Sequence, residues 1–131
     1  MIKIFFLFIL TISSICAIQI TQDLSFQNIY KDNQNNDKLV LMLYSAKTCP
    51  QCAYMKQKVF KNIEVKKFMD KQFVILEKDV NRDDLPQGFD YFGIPTMFFV
   101  NKEGNQVGKI IGSSRAKPFL QQIQNIVKEN K

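Results

Sequence analysis

Histidine is absent from the 131-residue chain. That removes the commonest metal ligand and the usual proton carrier near neutral pH. There are only three cysteines, with no second closely spaced pair, so a four-coordinate zinc site of the Cys and His kind cannot be completed. Covalent haem attachment needs histidine directly after a Cys-x-x-Cys pair, and Ala53 stands in that place. The formal net charge is +6, yet no block of like charges stands out and the basic residues are not interleaved with aromatics. This reads as a solvated basic surface and not as a nucleic-acid footprint. Internal repeats and a second domain are lacking too, and 46% hydrophobic content in this length fits one domain with one modest core.

The chain opens with Met1-Ile2-Lys3 and a run of about nine apolar residues from Ile4 to Ile12, broken only by Thr11. About 20 residues are needed to span a bilayer, so the run is short for a membrane helix. Small residues at Ser13, Ser14, Cys16 and Ala17 then complete the pattern of a secretory signal, expected over 1–17, with the folded domain over 18–131. Retention as an N-terminal anchor and lipidation at Cys16 are the alternatives to cleavage. With Cys16 removed, two cysteines are left, which match one redox pair in an oxidising compartment.

That pair is Cys49-Pro50-Gln51-Cys52, placed where the apolar run Leu39–Tyr44 gives way to a helical pattern. A thiol at the first helical turn meets unpaired backbone N–H groups, which favour thiolate. The second thiol lies one turn further along the same face, within disulfide reach. Thiol–disulfide exchange is the chemistry this placement favours. Two thiolates could also hold Cu(I), or the bridge could be purely structural, although a loop this short restricts the unfolded chain little.

Around this pair the periodicity predicts a short strand or extended lead-in followed by one amphipathic helix near 22–33, with a polar linker at 33–37. A buried strand follows over 38–45, then helical stretches from Cys49 to about Lys71 and a strand from Phe73 to Val80. This strand–helix–strand unit implies parallel pairing. Leu85 to Phe92 reads as a loop with a short helical turn, closed by Gly93-Ile94-Pro95-Thr96. Met97–Val100 and Val107–Ile111 read as a hairpin, and Pro118 as the opening of a last helix.

The run from Tyr44 to Lys56, the Gly93-Ile94-Pro95-Thr96 segment and the turn Asn101-Lys102-Glu103-Gly104 resemble the thioredoxin-like family, in particular its exported thiol–disulfide oxidoreductases. The similarity covers roughly residues 38–128. It implies an α/β thioredoxin-like fold, with a central mixed sheet of four to five strands flanked by helices. It further implies that Cys49 is the nucleophile, that Cys52 resolves the mixed disulfide, and that Pro95 is a cis-proline stacked against the pair. The neighbours Thr48, Pro50, Gln51, Ile94 and Thr96 would face the substrate, and the backbone of Ile94 would pair with an extended segment.

Two departures stand out. Many thioredoxins carry a buried carboxylate six residues before the nucleophile, where this chain has Leu43. Glu77 in the next strand is the candidate proton acceptor for Cys52; facing solvent or pairing with Lys56 or Lys78 is its other reading. Thr48 stands where thioredoxins usually place Trp. Gln51 adds no positive charge beside Cys49, and Ile94 before the proline resembles reducing members of the family. The expectation is therefore a periplasmic protein-disulfide reductase without a bound cofactor, with oxidase or isomerase work as the alternative. It would act as a monomer on protein substrates, fed by a membrane electron donor.

Overall fold

The computed structural model describes residues 18–131. The expected signal segment and Cys16 lie outside the described residues.

Seven consecutive buried residues make strand β1, Leu39–Ser45, the centre of the molecule. A strand buried on both faces has neighbours on both edges and layers above and below, and this one has all four. Its parallel partner is β2, Phe73–Asp79, in the register Leu39 to Phe73 through Ser45 to Asp79. Its antiparallel partner is β3, Thr96–Val100, with Tyr44 opposite Thr96. A hairpin brings β4, Gln106–Ile111, antiparallel to β3. Among the described residues the sheet has four strands in the order β2–β1–β3–β4, at the lower end of the expected range.

The alternating side chains of β1 divide the core in two. Leu39, Leu41 and Leu43 pack with Met55, Val65, Phe119 and Ile123 beneath the large helices. Val40, Met42 and Tyr44 face the other way, onto Phe26, Phe89 and Phe98. The first layer is built by α2 (Pro50–Tyr54), a π-helical turn over Met55–Val59, α3 (Ile63–Gln72) and α4 (Ala116–Glu129). In the π turn the Phe60 N–H reaches back to the Met55 carbonyl at 2.8 Å. The extra residue lets Val59 and Phe60 both turn inward, and the Phe60 ring meets Phe119 at 5.5 Å.

The N-terminal segment differs from the single helix expected near 22–33. It forms a 3₁₀ turn at Ile20–Gln22, the short helix α1 at Leu24–Ile29 and a second 3₁₀ turn at Asn33–Asn35. The cause is local. Asp23 accepts hydrogen bonds from the N–H groups of Ser25 and Phe26, and Asp32 accepts one from Gln34, so each aspartate starts a new turn. The last helix likewise begins at Ala116, before Pro118, because a proline in the first turn gives up no intrahelical hydrogen bond.

Two contacts pin the N-terminal segment down. Asp23 is ion-paired with Lys78 of β2, both side chains being largely buried. The hairpin turn presents Gly104 at φ +88°, and a β-carbon there would stand 2.7 Å from the Thr21 methyl. Only glycine meets both conditions.

Candidate functional site

The redox pair sits at the C-terminal end of β1, where the chain leaves the sheet. Ala46 is still buried, but Lys47 and Thr48 are exposed, and the Cys49 N–H turns back onto the Ala46 carbonyl at 3.2 Å. Cys49 then caps α2. Its sulfur accepts the Cys52 N–H at 3.1 Å, and Pro50 occupies the first helical position, where no N–H is needed. The two sulfurs are joined as a disulfide, with α-carbons 5.3 Å apart. Their surroundings differ sharply. Cys52 is 0% exposed, while Cys49 is partly open and flanked by exposed Thr48, Pro50 and Gln51. A pair built this way has one sulfur that a partner can reach and one that only its neighbour can reach.

Two further segments converge on this end of the sheet. The Ile94–Pro95 peptide bond is cis, as the resemblance implies, and the next residue, Thr96, pairs with Tyr44. Pro95 is buried and Ile94 half-buried. Thr96 is fully buried, and its hydroxyl donates to the Gly93 carbonyl at 2.7 Å, closing the loop on itself. The turn after β4 is tied in as well. Gly112 N–H donates to the Pro95 carbonyl at 2.8 Å, and the Ser113 hydroxyl donates to Gln51 Oε1 at 2.6 Å. Ser114 N–H points at the Met55 thioether sulfur, 3.4 Å away. These ties are not legible in sequence, because residues 112–114 carry no motif of their own.

Glu77 lies directly across from Leu43 in the β1–β2 register. Its side chain is therefore on the same face of the sheet as Leu43, and is 45% exposed. Glu77 Oε1 accepts from both the Ser45 hydroxyl, at 2.6 Å, and the Lys56 ammonium, at 2.7 Å. Burial raises the proton affinity of this carboxyl, but Lys56 and Ser45 outweigh it and hold the group below its ordinary range. Lys56 is one turn beyond Cys52 on the helix, so the trio lies between the active-site helix and the sheet edge. It lines a cleft of about 340 Å³ that Lys47 also borders. Of the readings open for Glu77, solvent exposure and the ion pair with Lys56 are both seen; Lys78 turns to the opposite face and Asp23.

Beneath the loop before β3, Tyr44 is wholly buried and its hydroxyl has no hydrogen-bond partner. Burial, then the nearby Asp90 and Tyr91, push this phenol well above its usual range. Among the described residues no group of three or more candidate metal ligands is present, and no helix is long and apolar enough to cross a membrane.

The sequence profile of the thioredoxin-like domain family matches residues 26–126. The thiol:disulfide interchange protein DsbD of two Vibrio vulnificus strains is 33% identical over 96 residues, which are 68% of this chain and 16% of that protein. The chain therefore spans about a sixth of the curated relatives it matches. In structure it is similar to a Thermus thermophilus thioredoxin, with a TM-score of 0.61, 24% identity, and coverage of 76% of this chain and 82% of that one. It is also similar to the oxidised C-terminal domain of Neisseria meningitidis DsbD, with a TM-score of 0.60 and 23% identity over 82% of this chain and 97% of that one.

Proposed function

The chain belongs to the thioredoxin-like domain family, and from that premise we propose that it is an exported thiol–disulfide oxidoreductase that reduces disulfides in partner proteins. The carrying observation is the unequal pair: an accessible Cys49 sulfur held by the Cys52 N–H, joined to a Cys52 sulfur sealed from solvent. The Cys49 thiolate attacks one sulfur of a partner disulfide and expels the other as thiolate. The Cys52 thiolate then attacks Cys49, releasing the partner's second thiolate and leaving the bridge seen here. Two electrons pass from this protein to the partner, and a membrane dithiol donor must return them. The curated relatives, being named for thiol:disulfide interchange, support exchange with protein partners.

Reduction is the favoured direction because nothing next to Cys49 adds positive charge: Pro50 and Gln51 are neutral. The pair should titrate reversibly in thiol–disulfide buffers with a potential near the roughly −270 mV of thioredoxin, read by counting alkylated thiols by mass. A value near roughly −120 mV reverses the direction to an oxidase. Absence of any two-electron couple moves the dithiol to Cu(I) binding or to a structural bridge.

Glu77 is assigned the proton of Cys52. Lys56 and Ser45 both hold its Oε1, and Oε2 has no protein partner among the described residues. Glu77→Gln is expected to slow the resolving step about tenfold near neutral pH and to shift its pH profile, since the group proposed to take the thiol proton is lost. Stopped-flow release of the second partner thiol measures this. An unchanged profile leaves Glu77 as no more than the ion-pair partner of Lys56.

A further inference from the structure

Basic residues are scattered along the sequence, but the fold gathers the net charge. Residues 57–72 and 115–131, which hold α3 and α4, carry eight lysines, one arginine and three acidic residues. Elsewhere in the described chain eight basic residues are set against nine acidic ones. The positive charge therefore lies on one layer, the helices packed over Leu39, Leu41 and Leu43. All nine of its cations are exposed, and among the described residues only Lys66 has an acidic partner, Asp70. Three shallow clefts join these side chains into one surface. Lys67 and Lys71 share a cleft with Phe68 and Leu120, and Lys117 shares the next, along the same seam, with Glu64 and Leu120. Lys61 and Lys66 border the third, over Phe73 and Ile75 of the edge strand β2. Ile63, the first residue of α3, is 82% exposed beside Lys61 and Lys66 in the chain.

We propose that this helical face docks the protein on an anionic phospholipid surface, its lysines meeting headgroup phosphates and Ile63 entering the headgroup layer. A cluster of about four to eight basic residues suits such a surface, each lysine near it being worth roughly a fivefold gain in binding. The attraction reaches only about 8 Å at physiological ionic strength. Charges on the far side of the molecule therefore add little, and the uneven distribution decides the outcome. An apolar side chain beside the cations supplies the second signal that lasting attachment needs. Lipid docking draws on none of the exchange chemistry and is tested without it.

The make-up of the face favours a bilayer over other anionic partners. Protein interfaces enrich arginine and aromatic rings at their centres and deplete lysine, whereas here lysines outnumber arginine eight to one. Arginine grips a single carboxylate in a fixed two-pronged geometry; lysine is a mobile point charge, suited to headgroups that diffuse. Single-stranded nucleic acid is held by stacking on open aromatic rings. The rings lining these clefts, Phe60, Phe68 and Phe73, are buried or half-buried.

The test is sedimentation of the full chain with vesicles of phosphatidylcholine, either alone or with about one-third phosphatidylglycerol. Whatever the N-terminal apolar run contributes is common to both. Wild type is expected to bind the anionic vesicles at least about thirtyfold more tightly at low salt, and to lose that excess at about 0.5 M salt. Lys67→Glu with Lys71→Glu should abolish the excess, and Lys67→Arg with Lys71→Arg should keep it. Lys31→Glu with Lys102→Glu makes an equal charge change beside the N-terminal segment and should keep it within about threefold. No anionic excess in the wild type, equal losses in the two glutamate pairs, or an excess that persists at high salt overturns the docking. So does soluble polyglutamate that binds as tightly as the vesicles at matched charge, which gives the face to an acidic protein.

Discussion

Cys52→Ser is expected to convert the protein from a catalyst into a covalent trap. The variant keeps the accessible Cys49 sulfur but loses the Cys52 sulfur that is bonded to it. Incubated in reduced form with a disulfide-bonded partner, it should accumulate one mixed disulfide through Cys49, visible on a non-reducing gel and assignable by mass. Turnover should fall on the order of a thousandfold, because release then depends on an external thiol. Cys49→Ser should form no adduct through Cys52, since that thiol is fully buried. Adducts through Cys52, or equal trapping by both variants, would refute the assignment of roles. The size of the effect follows from burial and not from motif: two equally open thiols would trap partners equally well.

The second large effect is on stability and lies away from the redox pair. Lys78→Met should lower the unfolding free energy by about 3 kcal/mol, because removing one member of a buried ion pair strands the other. The side chains of Lys78 and Asp23 are only 10% and 15% exposed, so water cannot compensate fully. Unfolding followed by circular dichroism should show the melting temperature drop by about 10 °C. Asp23 also caps α1, so the loss should loosen the N-terminal segment first. Changing both residues, Lys78→Met with Asp23→Asn, should cost less than the sum of the two single changes.

The pair fixes the acid sensitivity too. Burial raises the affinity of Asp23 for a proton, but Lys78, with the N–H groups of Phe26 and Ser25, outweighs it, and the carboxyl lies below its ordinary range. A group depressed in the folded state contributes stability above its unfolded value, near 3.8, and loses it as the pH falls through the lower folded value. Wild-type stability should therefore drop between about pH 4 and more acid values, and the Lys78→Met curve should be flatter there. A melting temperature unchanged at neutral pH would show the pair to be energetically idle.

The parts legible in the sequence were those set by short-range pattern. The apolar run at Leu39–Tyr44, the cysteine pair at its end and the helical spacing of Phe119, Ile123 and Val127 each report a local preference, and each stands where it was expected. The helix near 22–33 failed because spacing alone does not show that Asp23 and Asp32 will restart the chain by capping. Glu77 could be named but not placed. Its position opposite Leu43 depends on strand register, and its bonds to Ser45 and Lys56 join residues far apart in the chain. In sequence Phe92 is simply part of a loop. Hydropathy ranks a phenylalanine as buried, and nothing local distinguishes the exposed ring from Phe89 beside it.

The loop bearing the cis-proline is also a wall of the molecule. Opposite the large helices, the sheet is covered by a thin layer in which Phe26 of α1 and Phe89 close over Tyr44 and Phe98, with Tyr91 and Ile94 packed against them. Most surface loops tolerate insertion, deletion or grafting, because little depends on their interior. This one has little such freedom, since shortening it or exchanging it whole would open half of the core to water. Changes of partner preference in this scaffold, whether selected or engineered, must therefore be made one outward side chain at a time.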